Sequence, residues 1–324
     1  MPGMKLLITG SGGFVGRALV ERLLGPDCPD DLKGAELVLF DVNAPTDIDT
    51  SRCRAVVGSL SNPDCIASAF CEQISTVFHL ASVPGGLAER EYMLGRSANI
   101  DGTLGLLEAA REATRPPRFV FASSIAVLGG PLSDAVDDDT PLSPQMTYGA
   151  HKQVGEILVR DFSRRGWVEG ISMRLPGIVA RPPMKTGQLS AFMSDIIRQL
   201  ARGEEYTCPV SAEATMWLMS IPRLVDNFLH AATSPLTGRY LGSAMTLPAL
   251  HLSIAQLVDA IAAEYGEHVR TRLSYNPEHA LEQAFGRYPA LQTPLADAFG
   301  FTHDGDSAAL IRNALALAGR NIGA

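Results

Sequence analysis

The sequence predicts an α/β fold, a doubly wound parallel sheet followed by a smaller and more irregular C-terminal lobe. Three observations predict it. Short, near-continuous apolar runs recur through the first half of the chain, as strands buried on both faces require. Segments of helical periodicity separate them, the mark of crossovers in a parallel sheet. The first run ends directly in a glycine-rich turn, Gly10-Ser11-Gly12-Gly13-Phe14-Val15-Gly16, and an amphipathic helix leaves that turn.

Taken in order, residues 4–9 read as the first strand. Residues 14–24 read as a helix with apolar positions at Phe14, Val15, Ala18, Leu19 and Leu23. Residues 36–41 (Glu-Leu-Val-Leu-Phe-Asp) form the next strand, and a helix is expected near 63–72. Residues 76–81 (Thr-Val-Phe-His-Leu-Ala) are a third strand, and Gly85-Gly86 after it reads as a mobile loop. One long helix is expected over 90–113, ending before Pro116-Pro117. A fourth strand covers 118–123, a helix 147–165 and a fifth strand 170–175. Beyond Pro176 the pattern weakens, because prolines at 182, 183, 209, 222, 235 and 248 keep the elements short. Helices are expected near 188–202, 222–233, 253–265 and 307–318. The reading therefore divides the chain into residues 1–176 and 177–324, with some later segments free to rejoin the sheet.

Composition narrows the class. The 324 residues are 46% hydrophobic and 19% charged, which is ordinary for a globular protein. The net charge of −8 argues against nucleic acid or an anionic membrane as partner, since both need basic faces. No uninterrupted apolar run is long enough for a membrane span, and the N-terminal run is too short for a signal peptide. The five cysteines (Cys28, Cys53, Cys65, Cys71, Cys208) are odd in number and lack metal-like spacing. They read as free thiols of a reducing compartment, so a cytoplasmic location is expected.

The turn at Gly10–Gly16 carries the first chemical signal. A strand that ends in small residues and opens a helix lets backbone approach a dinucleotide pyrophosphate, and the helix N-terminus attracts the anion. The glycines at 10, 13 and 16 follow a GxxGxxG spacing. Asp41 ends the second strand, where a carboxylate accepts hydrogen bonds from an adenosine ribose and repels a 2′-phosphate. No arginine follows closely, so NAD is favoured over NADP; the competing reading of Asp41 is a turn residue or helix cap.

Tyr148-Gly149-Ala150-His151-Lys152 carries the second signal. Tyrosine and lysine at i and i+4 share one helix face. A phenol ordinarily titrates near pH 10. A lysine ammonium one turn away, with the positive nicotinamide ring nearby, favours the phenolate. Ser124 lies at the end of the fourth strand, where its hydroxyl is able to hold a reacting oxygen. The spacing Tyr-x-x-x-Lys is weak alone, and gains weight from Ser124 and the glycine turn.

With these motifs in place, the chain resembles the extended short-chain dehydrogenase/reductases of the NAD-dependent epimerase/dehydratase type, over nearly its whole length. The marks are Thr9 to Gly16, Asp41, His79-Leu80-Ala81-Ser82, Asn99-Ile100-Asp101-Gly102-Thr103, Ser123-Ser124, Tyr148 with Lys152, and Arg174-Leu175-Pro176. The resemblance implies a Rossmann-type domain and a C-terminal lobe that binds substrate. It implies Tyr148 as acid/base, Lys152 as its support and a nicotinamide-ribose ligand, and Ser124 as the residue orienting the reacting oxygen. It places Gly10, Gly12, Gly13, Phe14, Val15, Gly16, Asp41, Ser59, Leu60, Leu80, Ala81, Ser82, Asn99, Pro176 and Ile178 around the cofactor. Ser82, Ser124, Ile125, Tyr148 and Arg181 are the expected substrate contacts, and no metal is expected. The helices at 90–113 and 147–165 resemble those that pair subunits in the family, implying a homodimer.

A narrower resemblance, to the D-erythronate dehydrogenase group, rests on residues 123–129, 148–156, 161–167 and 174–182. It implies NAD-dependent oxidation at C2 of a small sugar acid. Departures bear on that substrate. Ser59-Leu60 stands where the family usually has aspartate before leucine, which alters an adenine contact. Pro183 to Gln188 is less basic than the group's loop, and Thr215 to Ser220 lacks the histidines expected there. Two alternatives stay open: an epimerase or dehydratase of nucleoside-diphosphate sugars using the same triad, and a non-catalytic NAD-binding regulator.

Other residues get plainer readings. Arg181 is a candidate for a substrate carboxylate through paired hydrogen bonds, and a salt-bridge role competes with it. Lys185 and Arg223 are weaker candidates. His79 reads as a packed, hydrogen-bonded core histidine, His151 as a surface residue, and Asp137-Asp138-Asp139 as a solvated loop.

Overall fold

The computed structural model describes residues 3–44, 48, 51–183 and 189–316. The elements run β1 (Lys5–Thr9), α1 (Phe14–Leu24), β2 (Glu36–Asp41), β3 (Cys53–Val57), α2 (Pro63–Ala69), β4 (Thr76–His79), α3 (Gly85–Arg90), α4 (Tyr92–Arg96), α5 (Gly102–Arg111) and β5 (Arg118–Ser124). There follow β6 (Ala135–Val136), α6 (Thr147–Arg164), β7 (Glu169–Leu175), β8 (Gly177–Val179), α7 (Phe192–Ala201), β9 (Tyr206–Cys208), β10 (Thr215–Ser220) and α8 (Ile221–Thr233). The chain ends with β11 (Ala244–Thr246), β12 (Leu250–Ser253), α9 (Ile254–Tyr265), β13 (Leu273–Tyr275), α10 (His279–Phe285), β14 (Ala290–Leu291), α11 (Pro294–Phe299) and α12 (Ser307–Ala316).

Seven strands form one sheet in the order β11-β7-β5-β4-β1-β2-β3. The pairs from β3 through β2, β1 and β4 to β5 are parallel. The order reverses beside β1, which is the doubly wound topology the apolar runs predict. Alternation sorts the side chains of each strand. Leu7, Val38, Phe40, Val77, Phe119 and Phe121 share one core with α2, α5 and α6. On the opposite face Phe78 meets Phe228 of α8 edge to face, with ring centroids 6.4 Å apart.

The chain forms two compact units. The first holds residues 1–130, 142–174 and 227–245; the second holds 131–141, 175–226 and 246 onward. The second has its own small sheet, β12-β10-β8, and its own core of Ile196, Leu200, Met216, Leu218, Leu257, Ile261 and Leu310 among others.

Three local expectations are corrected, and one strand was not expected. Gly85-Gly86 is no loop but the start of α3, which packs on α6. The helix expected over 90–113 is α4 and α5 joined by a π-helical turn at Ser97–Asp101. The helix expected near 63–72 ends at Ala69, which leaves Cys71 beyond it and Cys65 within it. The short edge strand β3 went unpredicted. The helix expected near 188–202 is described as α7 at Phe192–Ala201, and residue 188 falls outside the described residues, as does Lys185. The end of the helix expected near 307–318 also falls outside them.

Candidate active site

The glycine turn is built by close contact. A Cβ on Gly16 would lie 2.1 Å from the Gly10 carbonyl oxygen, so only glycine lets α1 start this close to β1. Gly10 N donates to the Phe40 carbonyl at 2.8 Å and Gly13 N to the Gly10 carbonyl at 3.1 Å, which bends the chain into the helix. Gly13 is the N-cap residue and brings no side chain over the helix end that Phe14 and Val15 open. The Ser11 hydroxyl, buried in the turn, makes no hydrogen bond within the chain. Asp41 is held at the rim: its Oδ2 accepts from Gly12 N at 3.0 Å and its Oδ1 from Asn43 N at 3.1 Å. These residues fit a dinucleotide. The turn is open to phosphate oxygens, the orphan hydroxyl is available to one, and the carboxylate stands at the ribose end.

A buried polar chain runs beneath this turn. Ala81 N donates to Thr9 Oγ1 at 3.2 Å, and Thr9 Oγ1 lies 2.8 Å from His79 Nδ1. His79 Nε2 lies 2.8 Å from Thr103 Oγ1, which itself donates to the Asn99 carbonyl at 2.8 Å. That last donation fixes the rest. Thr103 must accept from Nε2–H, so Nδ1 is the acceptor for the Thr9 hydroxyl. The imidazole is neutral, and burial pushes its pKa down to about 3, with the Lys152 charge adding to the effect. His79 is thus the packed core histidine expected. Asn99 closes the chain over the segment after β4: its Oδ1 accepts from Val83 N at 2.7 Å and its Nδ2 donates to the Val83 carbonyl at 3.0 Å. Leu80, Ala81 and Ser82 are therefore held half-buried at the end of β4.

Ser124, Tyr148 and Lys152 all belong to the first unit. Ser124 ends β5 and caps a 3-10 turn at Ile125–Val127, its Oγ accepting from Ala126 N at 3.1 Å. The first turn of α6 packs on that turn. A Cβ on Gly149 would stand 2.3 Å from the Ala126 carbonyl oxygen, so Gly149 is what lets the start of α6 pack this closely on the turn that follows Ser124. Glu89 of α3 accepts from Thr147 N at 2.9 Å and caps α6 from outside the helix. Lys152 is 3% exposed. Its Nζ donates to the Ala122 carbonyl at 2.6 Å, and it lies 4.8 Å from the Phe121 ring centroid and 5.6 Å from that of Tyr148. Burial pushes the Lys152 pKa down to about 7, against the opposing pull of the Glu156 carboxylate.

Other candidates take their own places. Ser59 sits after β3, its hydroxyl 2.8 Å from that of Ser61, and Leu60 beside it is buried. Pro176, Ile178 and Arg181 belong to the second unit, where Ile178 pairs with Met219 in the small sheet. Ala180, just before Arg181, is the one described non-glycine residue with positive φ, at 58°. Arg223 of the same unit lies within reach of Thr302 (3.2 Å) and Asp226 (3.6 Å). His151 is corrected: it is buried, its Nδ1 3.5 Å from Asn99 Nδ2 and its ring 6.2 Å from that of Tyr92. In the loop at 137–139, Asp137 caps its own turn and Asp138 accepts from Leu295 N at 2.8 Å. None of the five cysteines forms a disulfide among the described residues. Glu89, Glu156, Arg174, Thr9 and Thr103 were given no role from the sequence. The available signal was the helical stripe 149, 152, 156 along α6.

The parallel sheet and the glycine turn with Asp41 at its rim define a dinucleotide-binding α/β protein. Comparison with known proteins gives the family. Residues 6–240 match the NAD dependent epimerase/dehydratase family. A D-erythronate dehydrogenase of Cupriavidus necator is 38% identical over 95% of this chain and 97% of that protein. Another, of Haemophilus influenzae, is 32% identical over 93% of this chain and 95% of that one. The crystal structure of a nucleoside-diphosphate-sugar epimerase from Agrobacterium tumefaciens superposes with a TM-score of 0.88 at 29% identity, covering 97% of this chain and 94% of that one. The chain belongs to the NAD-dependent epimerase/dehydratase family. It is an NAD-dependent oxidoreductase, and NAD is its cofactor. No described helix is long and apolar enough to cross a membrane.

Proposed function

We propose that the protein oxidises the C2 hydroxyl of a small sugar acid, a D-erythronate-like aldonate, to the 2-oxo acid. The supporting observation is the seat of α6. Its first turn packs on the turn that follows Ser124, and its buried Lys152 lies against the Tyr148 ring. The names of the two relatives above support the substrate class.

In this reading the Ser124 hydroxyl donates to the substrate's C2 oxygen and fixes it. Tyr148, as phenolate, takes the hydroxyl proton while the C2–H bond breaks. When bound, NAD supplies the acceptor for the hydride released from C2. Lys152, as ammonium, lowers the cost of the phenolate. Ser82 and Ile125 border the reacting carbon, and Arg181 pairs with the carboxylate through its guanidinium. The chain acts in the cytoplasm as two domains, residues 1–176 for cofactor and triad and 177–324 mainly for substrate, apart from segments such as 227–245 that fall in the unit of the large sheet. Two copies pair through the apolar side chains exposed on the mutually packed α4, α5 and α6: Tyr92, Met93, Leu94, Leu104 and Ile157.

A screen of four- to six-carbon aldonates with NAD, followed by NADH absorbance, tests the substrate. D-Erythronate or a close relative is expected to give NADH. One observation favours the alternative, the similarity to the structure of a nucleoside-diphosphate-sugar epimerase. UDP- and dTDP-sugars therefore belong in the same screen, and turnover of these alone overturns the sugar-acid reading.

A further inference from the structure

One buried carboxylate has no part in the chemistry above. Glu156 lies one turn after Lys152 on α6 and is 2% exposed. Its two oxygens accept from Arg174 of β7, Nε to Oε1 at 2.9 Å and a terminal guanidinium nitrogen to Oε2 at 2.9 Å. Its Oε1 also accepts from the Ser123 hydroxyl at 2.6 Å. Ser123 is the residue before Ser124, and its neighbour Ala122 holds the Lys152 ammonium. One carboxylate thus ties Ser123 of β5 and Arg174 of β7 to α6, beside Ser124 on β5 and one turn from Lys152 on α6.

We propose that Glu156 is a positioning residue for the reaction, which fixes the end of β5 that presents Ser124 and supplies the counter-charge that keeps buried Lys152 an ammonium. The inference rests on the catalytic reading of Lys152 given above. A fully buried ammonium with one carbonyl and two rings around it loses its proton easily, because burial penalises its charged form. The groups facing it from the packed elements are few. His79 of β4 is neutral, Tyr148 and Glu156 lie on α6 itself, and Arg174 of β7 is engaged by Glu156. Glu156 is the anion in that set at rest, and its presence raises the Lys152 pKa. The clamp also meets the polar demand of a carboxylate in the core, with a bidentate guanidinium on its two oxygens and a hydroxyl on Oε1.

The test reads Lys152 directly. The sequence has four lysines, Lys5, Lys33, Lys152 and Lys185, so protein labelled with 13C-lysine gives four side-chain signals to follow by NMR against pH. Lys152→Arg assigns the signal. In Glu156→Gln the Lys152 midpoint is expected to fall by about one pH unit or more, while Lys5 and Lys33 stay put. Glu156→Asp keeps the charge and is expected to restore most of the midpoint. Should Glu156→Gln not fold, the double variant Glu156→Gln/Arg174→Met removes the pair together, a change that buried ion pairs often tolerate, and a lower midpoint is expected there too. An unchanged Lys152 midpoint in whichever variant folds overturns the proposal. Failure of the catalytic reading shows separately, as undiminished turnover in Lys152→Met.

Discussion

His79 makes acid stability a measurable consequence of the polar chain under the cofactor turn. Its pKa lies near 3 in the folded protein because burial penalises the imidazolium. The unfolded chain titrates near its ordinary value of about 6.5. Between those values the unfolded state binds the extra proton, so stability is complete above about pH 6.5 and falls as pH drops toward 3. The factor at about pH 5 is roughly 30, or about 2 kcal/mol of stability lost relative to about pH 7. The full side chain is buried, so solvent screening removes little of this. The perturbation is His79→Gln, which cannot titrate. Urea unfolding of both proteins at the two pH values is the assay. The wild type is expected to lose about 2 kcal/mol more than the variant does between them. Equal losses refute the reasoning, because the neutral imidazole bridging Thr9 and Thr103 would then carry no titration cost.

Gly149→Ala forces a Cβ to within 2.3 Å of the Ala126 carbonyl, so thermal unfolding is expected to show a loss of about 1–3 kcal/mol, with turnover falling as the start of α6 shifts off the turn after Ser124. Asp41→Ala removes the carboxylate fixed by Gly12 and Asn43, and calorimetry is expected to show NAD binding weakened by about tenfold or more. If two copies pair as proposed, light scattering is expected to give a dimer for the wild type and a monomer for Met93→Arg with Ile157→Arg, which puts charge at two exposed apolar positions; equal masses refute the pairing.

The parts of the fold legible in the sequence are those with strong local signals. β1, β2, β4 and β5 are central strands buried on both faces, so their apolar runs are unbroken. β3 is an edge strand, half exposed, and Cys53-Arg54-Ala55-Val56-Val57 carries too little pattern to mark it. Gly85-Gly86 read as a loop because two glycines weaken any helix, yet packing of α3 on α6 overrides that propensity. Ser97 to Asp101 continues the helical period, and nothing local marks the π turn that seats Asn99. His151 was misplaced because its cover, Tyr92 and Asn99, comes from about fifty residues away in sequence. The same distance hid the Glu156 clamp, since Arg174 is 18 residues on and Ser123 is 33 back. The places of Ser124 at the end of β5 and of Tyr148 and Lys152 along α6 were legible because each element carries its own pattern.

Tyr148→Phe tests the central claim most directly. The substitution removes one oxygen and leaves the glycine turn, Asp41 and the Lys152 seat in place. The account predicts that NADH formation from the sugar acid falls by at least about a thousandfold while NAD binding, followed by calorimetry, is unchanged. Turnover within tenfold of the wild type would contradict it.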